Sequence, residues 1–416
     1  MTTTLKSEST MSNRDLTLVL LAAFLGWMFD GFEQAIFPLI SNPCLTELTG
    51  GDKKLIGMWN GYITASWLLG AASGGLVFGW LGDRIGRVRA MALSILTYSV
   101  FTGLGYFAQA PWHLLILRFV ASVGMGGEWA LGVALVMECW PERWRPLLAG
   151  AIGAAANVGY LTLGVIGYVF PVRQSNWRFV LLLGIVPALL TFIIRLFVPE
   201  SERWKQSVKH QQARPVREIF SGPLRRNAIL AIIFASVALI GTWASVQQIP
   251  IWVDRQVAAD NPAAKAIAQA ASAVGAIIGC LLAPLLGGRI GRRPAYFLLC
   301  LLSLAFCLIL FWGMSTFNAL FVLMVVIVGG VTASFYGWLP LYLPELFPTR
   351  VRATGQGVSF NTGRIFAAIA ALNMGPIVAA YGGSYAHMCG TIVFIYVVGM
   401  ILIWLAPETK GKPLPE

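Results

Sequence analysis

The sequence predicts an all-α integral membrane protein with twelve transmembrane helices in two six-helix bundles. Composition, run length and an internal repeat lead to that reading. Of 416 residues, 57% are hydrophobic and 12% are charged, whereas a soluble domain carries about 25% charge to cover its surface. Apolar runs of roughly 20 residues, enough to cross about 30 Å of hydrocarbon, follow one another along the chain. They lack period-2 alternation, and without water only helices or a closed barrel satisfy the backbone, so helices are expected. The repeat is E-x-x-P-x-R-x-R, written ECWPERWR at 138–145 and ELFPTRVR at 345–352, 207 residues apart.

In chain order, the spans are expected near 16–40, 57–81, 90–108, 112–137, 147–171, 178–198, 228–250, 266–287, 295–314, 317–343, 353–379 and 385–406. The first is too long for a cleaved leader's apolar core, holds Asp30 and Glu33, and is followed by no small-residue cleavage site. The stretch 199–227 is the longest polar segment and reads as a cytoplasmic linker between bundles 1–198 and 228–416. Of thirty Lys and Arg, twenty-one fall on the side of both termini and six on the other, counting Arg178 at the start of span 6 among the six. Arg118, Arg195 and Arg364 fall within spans. That bias puts both termini in the cytoplasm of a multi-pass inner-membrane protein. The net charge of +12 is then topology and contact with anionic headgroups, not a nucleic-acid footprint.

Cysteines and histidines carry little chemistry here. Five of the six cysteines lie in or at the ends of spans, leaving Cys44 outside, and His113, His210 and His387 are far apart. No disulfide framework, zinc motif or other metal site is indicated, and no cofactor is called for. Neither G-x-S-x-G nor H-E-x-x-H occurs, so an intramembrane enzyme is not expected.

A second echo accompanies the repeat. GWLGDRIGRVRA at 79–90 is answered by GGRIGRRPA at 287–295, which aligns Arg84 with Arg289, Gly86 with Gly291 and Arg87 with Arg292. Gly288 replaces Asp83. Two matches at nearly one spacing imply a six-span unit used twice in the same orientation.

On these residues the sequence resembles the major facilitator superfamily over nearly its whole length. GWLGDRIGR (79–87) is similar to that family's G-x-L-x-D-R-x-G-R loop signature. The resemblance implies a latch in which Asp83, Arg84 and Arg87 pair across the cytoplasmic seam with partners from the repeated phrases, Glu138 and Glu345. Arg143, Arg145, Arg289, Arg292, Arg350 and Arg352 complete the expected gating set. Ion pairs that form when two halves close and part when they open suit alternating access. The plainer reading is that these arginines only fix topology. DGFE (30–33) resembles the first-span element of aromatic-acid/proton symporters, with Glu33 where that element usually has aspartate. GMGGEWALG (124–132) resembles a segment of metabolite/proton symporters. The run from VMECWPERWR to VPESERW resembles bacterial sialic-acid transporters, and RATGQGVSFNTGRI (352–365) the organic-acid symporters.

Ionisable groups in spans cost roughly 2.5–3.5 kcal/mol each, so they should face a cavity or a partner. Asp30 and Glu33 share one helix face, and helical rise puts Asp30, Glu128 and Arg364 near mid-bilayer. Arg364 is expected to clamp a carboxylate. Asp30 with Glu128, and Glu33 as a weaker third, are expected to load and release a proton. Asn361, Gln247, Gln248, Tyr336 and Trp338 are expected to line the substrate site. Each has a competitor: Arg364 as a structural pair for Glu128, Asp30 as a helix-packing group, and Arg118 as a brace for span 4. The expected function is proton-coupled uptake of a small organic anion, an aromatic acid or acidic sugar, by a monomer. The glutamines also admit a neutral sugar or polyol, and a non-transporting membrane sensor is the alternative from another class.

Overall fold

The computed structural model describes residues 11–170, 172–210, 215–261 and 263–416. Of the basic residues counted toward orientation, Lys6 and Arg214 lie outside the described residues, as do the side chains of Arg195, Lys209 and His210. Among the described residues ten helices are long and apolar enough to cross a bilayer. In the first half they are Asn13–Leu48, Lys53–Ile85, Arg87–Phe107, Pro111–Cys139 and Glu142–Gly167, and in the second Leu224–Val257, Ala264–Ile290, Arg292–Gly313, Ala319–Leu346 and Tyr385–Leu405. We number these spans 1–5, 7–10 and 12. Span 11 is Arg352–Ala380, and span 6 is built from two shorter pieces, Trp177–Leu183 and Val186–Phe197.

The helices run beyond their apolar stretches because polar residues cap them. Ser12 accepts from the Asp15 N–H at the start of span 1, and Asp52 accepts from Lys54 and Leu55 at the start of span 2. Spans 2 and 3 are joined by Gly86 alone, at φ 105°, and spans 8 and 9 by Gly291 at φ 104°. Only glycine takes that backbone without strain, which explains the glycine shared by the two R-I-G-R echoes.

Span 7 is broken beside the centre of the molecule. Its α-helix ends at Trp243, and Val246–Gln248 and Ile249–Trp252 continue it in short turns. Pro250 has no N–H for the carbonyl one turn back. The Gln248 side chain donates to the Trp243 carbonyl at 3.0 Å and repairs part of the gap.

Spans 1 with 5, 2 with 4, and 3 with 4 pack closely in the first half, and spans 8 with 10, 9 with 10 and 7 with 11 in the second. The halves meet along spans 2 and 11 and along spans 5 and 8. Glycines allow the close approaches. A Cβ on Gly74 would strike the Val123 carbonyl, one on Gly357 the Gly75 carbonyl, and one on Gly279 the Gly330 carbonyl. Large apolar side chains such as Leu189, Leu282, Leu323 and Ile401 remain exposed around the outside, as a lipid-facing surface requires. The first and last described parts of the chain lie at one end of the bundle: Trp140 donates to the Leu16 carbonyl at 3.0 Å, and Pro415 accepts from the Thr349 N–H at 3.3 Å.

Gly74→Leu forces spans 2 and 4 apart and should destabilise by about 1–3 kcal/mol, the usual cost of overpacking. A lower melting temperature of the detergent-solubilised protein checks this, with Gly164→Leu, which meets open space, as the control.

Candidate functional site

Two constructions lie between the halves, a latch at the end holding the termini and a cavity above it. The latch begins at Arg87, fully buried by its position one residue after Gly86. Its Nη1 donates to Asp83 Oδ1 and the Gly82 carbonyl, both at 2.7 Å. Its Nη2 donates to Glu138 Oε1 at 3.0 Å and to the Thr349 carbonyl of the opposite half at 2.6 Å. Arg352 completes the ring by donating Nη1 to Glu138 Oε1 at 2.9 Å and Nη2 to the Pro415 carbonyl at 2.8 Å. Asp83 meanwhile caps the start of span 11. It accepts from the Thr354 N–H at 2.8 Å, the Thr354 hydroxyl at 2.6 Å and the Ala353 N–H at 3.2 Å. An anion at a helix N-terminus meets unpaired N–H groups and the positive end of the dipole.

The second copy has the same parts, used within one half. Arg292 makes a two-pronged pair with Glu345, Nε to Oε2 at 2.9 Å and Nη2 to Oε1 at 2.7 Å. Gly288 stands where Asp83 does in the first copy, so nothing there reaches across. Of the expected gating residues, Asp83, Arg87, Glu138 and Arg352 form the cross-half latch, and Arg292 with Glu345 forms its internal counterpart. Arg350 pairs with Glu218 of the linker at 2.5 Å. Arg145 is buried at the seam with Glu345 and Arg292 among its charged neighbours. Arg84 and Arg143 depart from the expectation. Both are exposed and lie over their own neighbours, Trp80 at 4.6 Å and Trp144 at 5.7 Å. Arg289 is exposed too, offering only its carbonyl to Lys410 at 2.6 Å.

A third repeat escaped the sequence reading. Glu200 accepts from the Arg87 and Val88 N–H groups, each at 3.0 Å. Glu408 accepts from the Arg292 and Arg293 N–H groups at 2.9 and 3.0 Å. Each seals the start of the helix after a positive-φ glycine. The signal was present as P-E-S at 199–201 and P-E-T at 407–409, 208 residues apart. The two carboxyls differ in setting. Burial pushes Glu200 above the ordinary glutamate range despite its N–H donors. Glu408 is less buried, and the N–H groups of Arg292, Arg293, Lys410 and Thr409 overcome the cost of burial and hold it below that range.

Above the latch, spans 1, 5, 7, 8, 10 and 11 enclose a cavity of about 140 Å3. Its walls are aromatic (Trp27, Tyr160, Trp243, Tyr336 and Phe360) and amide or hydroxyl (Gln34, Asn157, Thr242, Gln247, Gln269, Ser272 and Thr332). Arg364 is the one cation among the lining residues. It is only 4% exposed, and its Nε and Nη1 have no hydrogen-bond partner among the described residues. Its guanidinium carbon lies 5.5 Å from the Phe360 ring centre and 5.8 Å from that of Trp67. No ion pair joins it to Glu128 among the described residues, so the structural pairing weighed above is absent. Beneath the cavity Trp129 stacks on Phe360 at 4.0 Å, closing it toward the latch.

Tyr336 and Gln247 border this cavity as expected, whereas three other expected lining residues do not. Gln248 is occupied in the break of span 7. Asn361 is fully buried and donates to the Gly126 and Gly357 carbonyls at 2.9 Å, tying span 11 to span 4. Trp338 lies in the core of the second half against Tyr296 and Tyr342, ring centres 4.6 Å away in each case. The intramembrane acids divide into two groups. Glu33 is consumed by structure, accepting from Arg118 at 2.6 Å and from Trp67 and Thr102 at 3.2 Å. Asp30 and Glu128 are buried side by side near the Tyr98 hydroxyl, with Arg364 among the charged neighbours of Asp30, and no oxygen of either carboxyl is in hydrogen-bond geometry with a donor.

Two helical halves joined by buried ion pairs around a central cavity, in a chain of membrane-spanning helices, have the build of a solute transporter. The chain belongs to the Major Facilitator Superfamily, whose profile matches residues 16–372; it is a secondary transporter of metabolites, not an enzyme. It is 30% identical to a probable 4-methylmuconolactone transporter of Cupriavidus pinatubonensis, over 94% of this chain and 90% of that one. It is 29% identical to a cis,cis-muconate transport protein of Acinetobacter baylyi, over 94% and 96%. Among solved structures, the proton:xylose symporter XylE matches with a TM-score of 0.77 at 19% identity, covering 96% of this chain and 98% of that one.

Asp83→Asn removes a charge from the latch and points an NH2 at donors that the carboxylate accepted from. Spin labels on Arg84→Cys and Arg350→Cys should then report a new population at longer distance; the six native cysteines are buried and leave the labels selective. Glu408→Gln should cost more stability at pH 7 than Glu200→Gln. The Glu408 site favours the ionised form and loses its advantage on neutralisation, while the Glu200 site already disfavours charge. Melting temperatures of the two variants check the order.

Proposed function

We propose that this transporter carries a small organic anion inward together with protons, by alternating access in the cell's inner membrane. In this reading it acts as a monomer with both termini in the cytoplasm, and each six-helix half moves as a unit about the linker. The observation that carries it is the Arg364 guanidinium, buried on the cavity wall with two nitrogens unpartnered. A guanidinium stays charged at any working pH, and an unpaired charge is costly in the membrane interior. A bound carboxylate supplies the two acceptors that its fork matches. The names of the relatives agree, since muconate is a carboxylate.

Asp30 and Glu128 are the proton carriers in this scheme. Adjacent ionised carboxylates repel, and one shared proton relieves that. Asp30 is within electrostatic reach of Arg364, so an arriving anion that neutralises the guanidinium is felt at the carboxyl pair. Glu33 has no such freedom, and Arg118 with it acts as a brace between spans 1 and 4. The latch of Asp83, Arg87, Glu138 and Arg352 is then the cytoplasmic gate, closed in this conformation, with the cavity facing outward.

A neutral sugar or polyol is the second reading, favoured by the amides of Gln34, Gln247 and Gln269 on the cavity wall. Uptake into proteoliposomes under an imposed pH gradient separates the readings. Acid outside should stimulate carboxylate uptake, and Arg364→Ala should raise the carboxylate KM about 10–100-fold, the loss expected for charged hydrogen bonds. Carboxylate affinity unchanged in Arg364→Ala would eliminate the clamp. Flux of a neutral sugar regardless of pH supports the second reading, and binding with no flux identifies a sensor.

A further inference from the structure

Trp67 stands on span 2 between two charged groups. Its indole Nε1 donates to Glu33 Oε2 at 3.2 Å, and its ring centre lies 5.8 Å from the Arg364 guanidinium carbon. It also packs on Trp243 of span 7, ring centres 6.0 Å apart. Glu33 is fixed in turn by Arg118 Nη1 at 2.6 Å and the Thr102 hydroxyl at 3.2 Å. Spans 1 to 4 thus seat the indole through a continuous chain of polar contacts. Trp67 is 4% exposed and does not border the cavity; a ligand there meets Arg364 and not Trp67.

Arg364 has no comparable set of hydrogen bonds. With Nε and Nη1 unpartnered, its direction is held by two ring faces, Phe360 one turn back on its own helix and Trp67 from the other half. Both lie within the roughly 6 Å over which a ring attracts a cation. Phe360 travels with Arg364 when span 11 moves. Trp67 does not.

We propose that Trp67 is a positioning residue for the anion clamp, with Arg118 and Glu33 as its anchor. The proposal rests on the reading of Arg364 given above. The clamp belongs to the second half and its orienting ring to the first, so the anion site is complete only in the register of spans 2 and 11 seen here. Sliding span 2 past span 11 withdraws the ring, frees the guanidinium to turn, and lowers affinity in the opposite-facing state.

The test is uptake of benzoate, cis,cis-muconate and N-acetylneuraminate into proteoliposomes by wild type, Trp67→Leu, Trp67→Phe, Arg364→Lys and the double variant Trp67→Leu/Arg364→Lys. For each carboxylate carried by the wild type, Trp67→Leu should raise KM about five-fold, as a cation–π contact at the lower end of the usual range implies, with a smaller change in kcat. Trp67→Phe keeps a ring face and should raise KM less, about two-fold; it remains informative if the leucine variant does not fold. On the Arg364→Lys background, Trp67→Leu should add less, because the ammonium has no planar fork for the ring to orient. An equal factor on both backgrounds, or a fall in kcat with KM unmoved, would overturn the proposal. Arg364→Lys with an unaltered KM, or no carboxylate carried by the wild type, would instead overturn the clamp reading beneath it.

Discussion

In hydrocarbon an unpaired charge has nowhere to put its field, and the interior of this protein is organised around that constraint. Among the described residues most deeply buried arginines have a carboxylate: Arg87 has Asp83 and Glu138, Arg352 has Glu138, Arg118 has Glu33, and Arg292 has Glu345. Arg145 lacks an ion pair but sits at the seam near the end of the bundle. Arg364 lacks one in the middle. Pairing elsewhere is what gives that exception meaning. Arg364 is set apart by its place: of the two deeply buried guanidinium groups without an ion pair among the described residues, it alone borders the central cavity.

Duplication supplies the parts, and one substitution differentiates them. The two halves share the positive-φ glycine, the arginine after it, the glutamate of the E-x-x-P phrase and the glutamate of the P-E-S/T turn. In both, the arginine meets the glutamate of its own half. The carboxyl of Asp83 makes the difference by reaching the start of span 11 in the opposite half. With glycine at that place in the second copy, the reciprocal contact toward span 5 cannot form. A latch on one side of the pseudo-symmetric seam can open without breaking an equivalent bond on the other.

The fold was legible because membrane insertion writes itself as composition and run length, and the repeat because charge is scarce enough for any doubled phrase to stand out. Span 6 was foreseen as one helix and is two short ones, since its apolar character does not reveal the break at Gly184–Ile185. The site was legible at the level of charge and illegible at the level of direction. Arg364, Tyr336 and Gln247 face the cavity. Asn361, Trp338 and Gln248 lie on the same or neighbouring spans yet face a carbonyl, a core and a helix break. Helical periodicity on an all-apolar segment has no polar side to mark which face looks inward, so lining residues could be chosen by type but not by azimuth. The partner of Glu33 is hidden for a similar reason: Arg118 is 85 residues away, beyond any spacing rule. Arg84 and Arg289 sit inside the latch motif but on the helices that end before Gly86 and Gly291, whereas the buried Arg87 and Arg292 open the helices that follow.

Spans 2 and 11 run antiparallel and touch at the latch, at the glycines and at the clamp. Asp83 meets Thr354, Gly75 meets Gly357 and Asn361, and Trp67 meets Arg364. Arg352 and Arg364 are twelve residues apart on one helix, about 18 Å along its axis. Between them Gly75 and Gly357 set backbone against backbone, leaving little side chain to absorb a displacement. Parting spans 2 and 11 at Asp83 and Thr354 would therefore also shift the contact of Trp67 with Arg364. A transporter needs coupling of this kind, since a site with equal affinity in both conformations gains nothing from the movement between them.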